Sequence, residues 1–223
     1  MTVDREFITK SQFVGYLDSV ERFKDSISQI KETPEMRAGQ LIHKFWENFE
    51  LFTEIEDGTL KLNDRIPNEV KNNDIIQKQG MVSNLVDVEQ KRLDNVLNKG
   101  LDPQKYFYPH LTETHYRNSD LRIYGIPDAL IRSPEDNGFI VAELKTDFYS
   151  DYHKEELAFY KELVDEPIVG GVVIAVSDSV DRGNRIRDYS EQDLDEVNVV
   201  EKINRVRKQI NQNPELPNYR LIE

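Results

Sequence analysis

The segment from Gly125 to Asp147 reads GIPDALIRSPEDNGFIVAELKTD and sets Asp128, Glu143 and Lys145 inside an otherwise apolar pattern. In a strand, alternate side chains share a face. Phe139, Val141, Glu143 and Lys145 therefore point one way, and Ile140, Ala142, Leu144 and Thr146 the other. Between the two apolar runs lies SPEDNG, whose Pro, Asp, Asn and Gly are turn chemistry. A hairpin loop over Pro134–Asn137 sets Ser133 opposite Gly138, and the same register sets Asp128 opposite Glu143. Their Cβ atoms would then lie about 4.5–5.5 Å apart. Carboxylates that close repel, and one stays protonated unless a cation sits between them. Mg²⁺ resolves this readily, because it takes one or two protein carboxylates and keeps water and phosphate for the rest. Lys145, on the same face, can hold an attacking water or offset phosphate charge. These parts suit phosphodiester hydrolysis. The plainer alternative is a surface hairpin with a Glu–Lys pair, since E-x-K triplets are common by composition alone.

The charges fall at the C-terminal end of a central strand, where open α/β sheets place their chemistry. The elements around it read as follows. Ser11–Ile30 has a helical stripe of Phe13, Tyr16, Leu17, Val20 and Phe23, with Ser11 as its cap. A second helix spans about Glu35–Phe52, with Leu41, Ile42, Phe45, Trp46 and Phe49 inward. Residues 53–105 are polar, with turns at Asp57-Gly58 and Asn72-Asn73 and helical patterns at 68–79 and 83–98. They read as a helical insertion or cap. YFYPHLTETHYR, DLRIYGIPDALIR and FIVAELKTD read as strands. Tyr152–Val164 reads as a helix, IVGGVVIAV as a strand buried on both faces, and DSVDRGNRIRDYS as a loop or short strand. Glu191–Gln212 reads as a closing amphipathic helix. The expectation is one α/β domain over 1–223, with a mixed central sheet of four or five strands flanked by helices.

Composition narrows the classes. The chain has 223 residues, which suit one sizeable domain. It has no cysteine, which excludes disulfides, zinc–cysteine sites and a cysteine-ligated iron–sulfur cluster, and fits an intracellular, cytoplasmic setting. MTVDREFITK lacks an apolar core, so no signal peptide is expected, and no apolar run approaches the ~18 residues of a membrane span. The net charge is −13, from 42 acidic and 29 basic residues. That argues against a broad basic nucleic-acid surface and leaves room for a local basic groove.

Pro127-Asp128 followed by Glu143-Leu144-Lys145 resembles the signature of the PD-(D/E)XK nuclease superfamily. Further features resemble its RecB-like branch, which includes the CRISPR-associated adaptation exonucleases. GQLIH gives a Gly39-x-x-x-His43 helix, with Glu47 one turn on. EELAFY gives Glu156, Leu157 and Tyr160 where that branch has Q-L-x-x-Y, with Glu in place of Gln. VGGVVIAV matches the buried strand that follows. ITKSQFVGYLDSVERF looks like the N-terminal segment, with Ser19 where a cysteine often begins C-P-x-x-F. The likeness covers most of residues 8–177 outside 53–105. It implies a restriction-endonuclease-like fold without the iron–sulfur cluster.

It also implies site roles. His43, Asp128 and Glu143 would bind the metal, with the Leu144 carbonyl as a further ligand. Lys145 would be the catalytic lysine, and Glu156 and Tyr160 would support the site or contact DNA. Alone, His43 among Leu and Phe reads as a core histidine; within the Gly-x-x-x-His pattern it reads as a ligand. An imidazole beside two carboxylates favours Mn²⁺ over Mg²⁺. Tyr149 and Tyr152 can stack on bases or pack the hinge. Arg182, Arg185 and Arg187 are candidate phosphate contacts, as are Arg205, Arg207 and Lys208. His110, His115 and His153 read as solvated or structural. The resemblance implies a metal-dependent deoxyribonuclease, an exonuclease on single-stranded or frayed DNA ends that uses a metal-activated water. Its protein partners would belong to repair, defence or viral replication. A structure-specific endonuclease of this fold, or a non-catalytic DNA-end or protein-binding module, are the alternatives.

Overall fold

The computed structural model describes residues 7–18, 33–108, 111–112, 114–146, 152–180 and 185–212. The chain begins with β1 (Ile8–Thr9), α1 (Lys10–Asp18), α2 (Pro34–Glu47), α3 (Phe49–Phe52) and a hairpin of β2 (Thr53–Glu56) and β3 (Thr59–Leu62). Helices α4 (Asn68–Lys71), α5 (Asp74–Lys78), α6 (Met81–Asn98) and α7 (Pro103–Tyr106) follow. Then come β4 (Leu111–Thr112), β5 (Tyr116–Asn118), β6 (Ile123–Gly125), β7 (Ala129–Arg132) and β8 (Phe139–Lys145). Helix α8 (His153–Leu163), strands β9 (Ile168–Ala175) and β10 (Ile186–Ser190), and helices α9 (Glu191–Asp195) and α10 (Val199–Gln212) complete it.

The main sheet is mixed and has five strands in the order β10-β9-β8-β7-β4, with β8 at its centre. β8 and β9 run parallel and the other neighbours antiparallel. The parallel pair needs a crossover, and α8 supplies it. In the β7–β8 hairpin Ala129 faces Ala142 and Arg132 faces Phe139, and the Ser133 N–H donates to the Gly138 carbonyl at 3.0 Å. This is the register deduced from a loop over Pro134–Asn137, so Asp128 falls opposite Glu143.

The strict alternation of β8 separates two cores. Ala142 and Leu144 join Ala129, Ile131, Val172 and Ile174 under α2 and α6, with Ile42, Phe45, Trp46 and Leu85. Val141 joins Leu130 and Val173 on the opposite face, under α1, α8 and α10, with Phe13, Leu157, Phe159 and Ile203. Glu143 has the parity of Val141, so it faces α1 and α8.

Several elements depart from the sequence expectation. The strand read through DLRIYGIPDALIR is two strands. Pro127 has no N–H to give to a ladder, and the chain changes sheets there: β6 pairs with β1 in parallel and with β5 antiparallel. The extended run from Tyr106 is broken into a helical turn and the short β4 and β5. α2 starts where Thr33 accepts the Met36 N–H at 3.2 Å and Pro34 fills the first turn. It ends at Glu47 rather than running through to Phe52. The closing helix is two, because Ser190 and Asp193 form a capping box at the start of α9 and a second helix restarts at Val199. The part of the expected Ser11–Ile30 helix beyond Asp18 lies outside the described residues. Among the described residues no helix is long and apolar enough to cross a membrane.

Residues 53–105 open with a hairpin, where the sequence suggested only helices. Leu60, Val70, Ile76, Met81, Leu85, Val88, Leu93 and Val96 are all buried in the core that holds Ile42 and Phe45. Trp46 Nε1 donates to Glu89 Oε1 at 3.0 Å, and Arg92 holds Glu89 Oε2 at 2.6 Å. The segment is thus a wall of one core, against which the helix carrying His43 packs. Leu85→Ala is expected to cost about 2–5 kcal/mol, lowering Tm by roughly 4–20 °C for a chain of this size. Thermal unfolding checks this; a loss below about 1 kcal/mol would mark the segment as loosely attached.

Candidate active site

The predicted residues of the central constellation converge on one place from several elements. β8 ends in Glu143 and Lys145. β7 begins just after Asp128, at the break that Pro127 imposes. α2 approaches the end of β8 at Gly39, where an added Cβ would stand 3.4 Å from Thr146 Oγ1. One turn further along α2, His43 Nδ1 lies 3.4 Å from Asp128 Oδ2. The same Asp128 oxygen accepts the Leu144 backbone N–H at 2.8 Å, which locks the start of one strand to the end of its neighbour. From α8, Glu156 Oε1 accepts from Lys145 Nζ at 3.1 Å, and the Tyr160 hydroxyl donates to the Ile126 carbonyl at 2.9 Å. Tyr160 thereby pins the residue before Pro127-Asp128 and supports the site through the backbone.

Lys145 Nζ also donates to Glu143 Oε2 at 2.7 Å. A second ammonium, which sequence reasoning missed, enters from the start of α1. Lys10 Nζ pairs with Glu156 Oε1 and lies 3.8 Å from Glu143 Oε2. In ITKSQ this lysine reads only as the flank of a helix cap. Its placement follows from the parallel pairing of β1 with β6, which no local pattern announces.

Electrostatics sort the three carboxylates. Burial and the Asp128 charge push Glu143 up to about 7, against the pull of Lys10 and Lys145. Burial also opposes ionisation of Glu156, but Lys10 and Lys145 outweigh it and hold that carboxyl at about 2. Asp128 is buried as well, yet His43 and the two ammoniums hold it below the usual carboxylate range. Reciprocally, burial disfavours the His43 imidazolium, and the hydrogen bond and charge of Asp128 overcome this and raise its pKa. Glu143 is thus the least compensated of the three. Only 1 % of its side chain is exposed, and its Oε1 has no hydrogen-bond partner among the described residues. A buried anionic oxygen without a donor is costly.

Among the described residues no three of His, Asp and Glu already form a ready cation-binding group. The donor set nonetheless fits a hard divalent cation: a carboxylate oxygen lacking a partner, a second carboxylate in register beside it, and an imidazole on that carboxylate. A cleft of 610 Å³ opens beside His43, lined also by Glu35, Gly39, Lys44, Glu47 and Thr146.

The other predicted residues divide. Arg187 is exposed on β10 opposite Val173, which is itself opposite Glu143, so Arg187 lies in the same cross-strand row as the carboxylates. Arg185 is not a surface phosphate contact. It is 4 % exposed, and its guanidinium donates to Asp178 Oδ1 at 3.2 Å. Of the last helix, Arg207 is spent on the Leu121 carbonyl at 2.8 Å. Tyr152 is half-buried at the start of α8, its carbonyl accepting the Glu156 N–H at 2.9 Å. His153 is buried with Nδ1 3.5 Å from Glu156 Oε2, while His115 pairs through Nδ1 with the Tyr124 hydroxyl. Tyr149, Arg182 and His110 lie outside the described residues.

Compared with models of known protein families the chain matches none, and a search of curated proteins likewise gives no match.

The Glu143 shift has a measurable sign. Its folded value of about 7 lies above its ordinary 4.5, so the folded state keeps a proton that the unfolded chain has lost. Its contribution to stability is full below pH 4.5 and declines as pH rises to about 7. A bound divalent cation reverses the preference by favouring the ionised carboxylate and neutral imidazole. Mn²⁺ is therefore expected to raise Tm more at pH 8 than at pH 5; equal shifts would detach Glu143 from cation binding.

Proposed function

We propose that the chain is a divalent-metal-dependent DNA nuclease of the PD-(D/E)XK kind, acting as an exonuclease on single-stranded or frayed ends. One observation carries this reading: Glu143, buried with an oxygen that has no partner among the described residues, lies in the register that faces Asp128 and carries Lys145 on its other oxygen. A surface hairpin with a chance Glu–Lys pair would leave both carboxylates in water.

Asp128, Glu143 and His43 would hold the cation, with the Leu144 carbonyl as a further ligand. Mg²⁺ or Mn²⁺ bound there supplies Lewis-acid polarisation of a phosphate and a lowered pKa for water. His43 gives up its proton to act as a ligand, and Glu143 does the same. The Lys145 ammonium then donates to the phosphate oxygens on which charge accumulates, a preorganised electrostatic contribution. Tyr160 fixes the backbone before Asp128, and burial keeps these charges strong by limiting water. Arg187, exposed in the same row, would meet a backbone phosphate further along the strand. With a net charge of −13 the protein relies on few such contacts, so its DNA affinity would fall only gently with salt.

Lys145→Ala and Asp128→Asn are each expected to lower metal-dependent cleavage of linear single-stranded DNA by about 10²–10³-fold, as for loss of one preorganised electrostatic group. EDTA should abolish it, and closed circular single-stranded DNA should survive. Activity retained by Lys145→Ala would overturn the site. Cleavage of the circle would assign an endonuclease of the same fold.

A further inference from the structure

We propose that Lys10 is a positioning residue which offsets the charge of Glu156, so that Lys145 remains available at Glu143. This rests on the nuclease reading and deepens it. Where the resembled branch has a neutral Gln, this chain has Glu156, 6 % exposed. A carboxylate there competes with Glu143 for Lys145, and it does reach that ammonium, at 3.1 Å against 2.7 Å for Glu143.

Left alone, the Glu156 carboxylate would draw Lys145 away from Glu143, since both reach the same ammonium. Lys10 removes this conflict by pairing with the same Glu156 oxygen that Lys145 touches. The count of charges supports the assignment. Asp128, Glu143 and Lys145 sum to one negative charge, and adding Glu156 together with Lys10 leaves that sum unchanged. Adding either one alone does not. Lys10 comes from 146 positions upstream and reaches over the face of the Tyr160 ring, 5.9 Å from its centre. Its own pKa is raised well above the ordinary lysine value: burial opposes its charge, and Glu143 and Glu156 outweigh burial.

The test is a cycle of wild type, Lys10→Met, Glu156→Gln and the double variant, each read three ways. Met keeps the length and apolar stem of Lys, so the change is mainly one of charge. In metal-free unfolding, Lys10→Met should lower Tm and the double variant should recover it. A double variant no more stable than Lys10→Met overturns the pairing, whatever the other readings give.

In Mn²⁺ titration, Lys10→Met should bind roughly fivefold more tightly, because a neighbouring positive charge is gone. Its kcat on linear single-stranded DNA should meanwhile fall by about tenfold or more, with KM little changed. Structural damage would weaken both, so the opposed directions identify a charge effect. The double variant should return both toward wild type, and Lys10→Arg should stay near it. Parallel losses of Mn²⁺ affinity and kcat in Lys10→Met, unrescued in the double, refute the role. Wild type that neither binds Mn²⁺ nor cuts DNA defeats the nuclease reading and this use of the pair, while the unfolding cycle still decides whether Lys10 neutralises Glu156.

Discussion

Two carboxylates held side by side in a buried strand pair set the terms for everything around them. Asp128 lies one residue before β7, where the register of the β7–β8 hairpin sets it opposite Glu143; Glu143 is fully buried and Asp128 largely so. Like charges in a poor dielectric must be neutralised, protonated or paired. The protein uses all three routes. Asp128 takes the Leu144 N–H and His43. Glu143 retains a proton up to near neutrality. Lys10 and Lys145 bridge Glu143 and Glu156. Leu144 and Lys145 come from the hairpin itself; His43, Lys10 and Glu156 come from elsewhere in the chain. The fold around the site can be understood as the means of bringing α1, α2 and α8 to the end of β8.

The break at Pro127 is central to that arrangement. A continuous strand would carry Asp128 within a ladder, its side chain alternating with its neighbours. Because the chain crosses from one sheet to another there, Asp128 stands at a strand start, where its carboxylate can cap the Leu144 N–H. Tyr160 holds the crossing from the other side. The backbone thus contributes a donor and a fixed origin for the site, while the side chains contribute charge.

Much of this was legible in the sequence for a physical reason. Strand alternation and turn chemistry are local and periodic, so SPEDNG between two apolar runs fixes a register, and the register fixes which carboxylates meet. The helix of His43 was legible from its apolar stripe. Lys10 was not, because its role depends on a two-residue parallel pairing with a distant strand, and such short pairings carry no periodicity. Arg185 misled for the converse reason: three arginines close in sequence suggest a basic patch, but Asp178 and the fold of the edge strand take one of them inward. The hairpin at the start of 53–105 was hidden by its brevity, and the buried residues of that segment by the many polar positions between them.

The pairing of β1 with β6 has a kinetic meaning as well. The β7–β8 hairpin closes a short loop and can form early, whereas Lys10 arrives only when a contact spanning most of the chain is made. Until then Asp128 and Glu143 face each other without the Lys10 ammonium. Before that contact forms, the hairpin that brings Asp128 and Glu143 together lacks one of the two ammoniums that compensate it. Because β1 is paired with β6 at Ile8 and Thr9, its fraying would loosen the strand that leads directly into Lys10, while the main sheet keeps its own pairings.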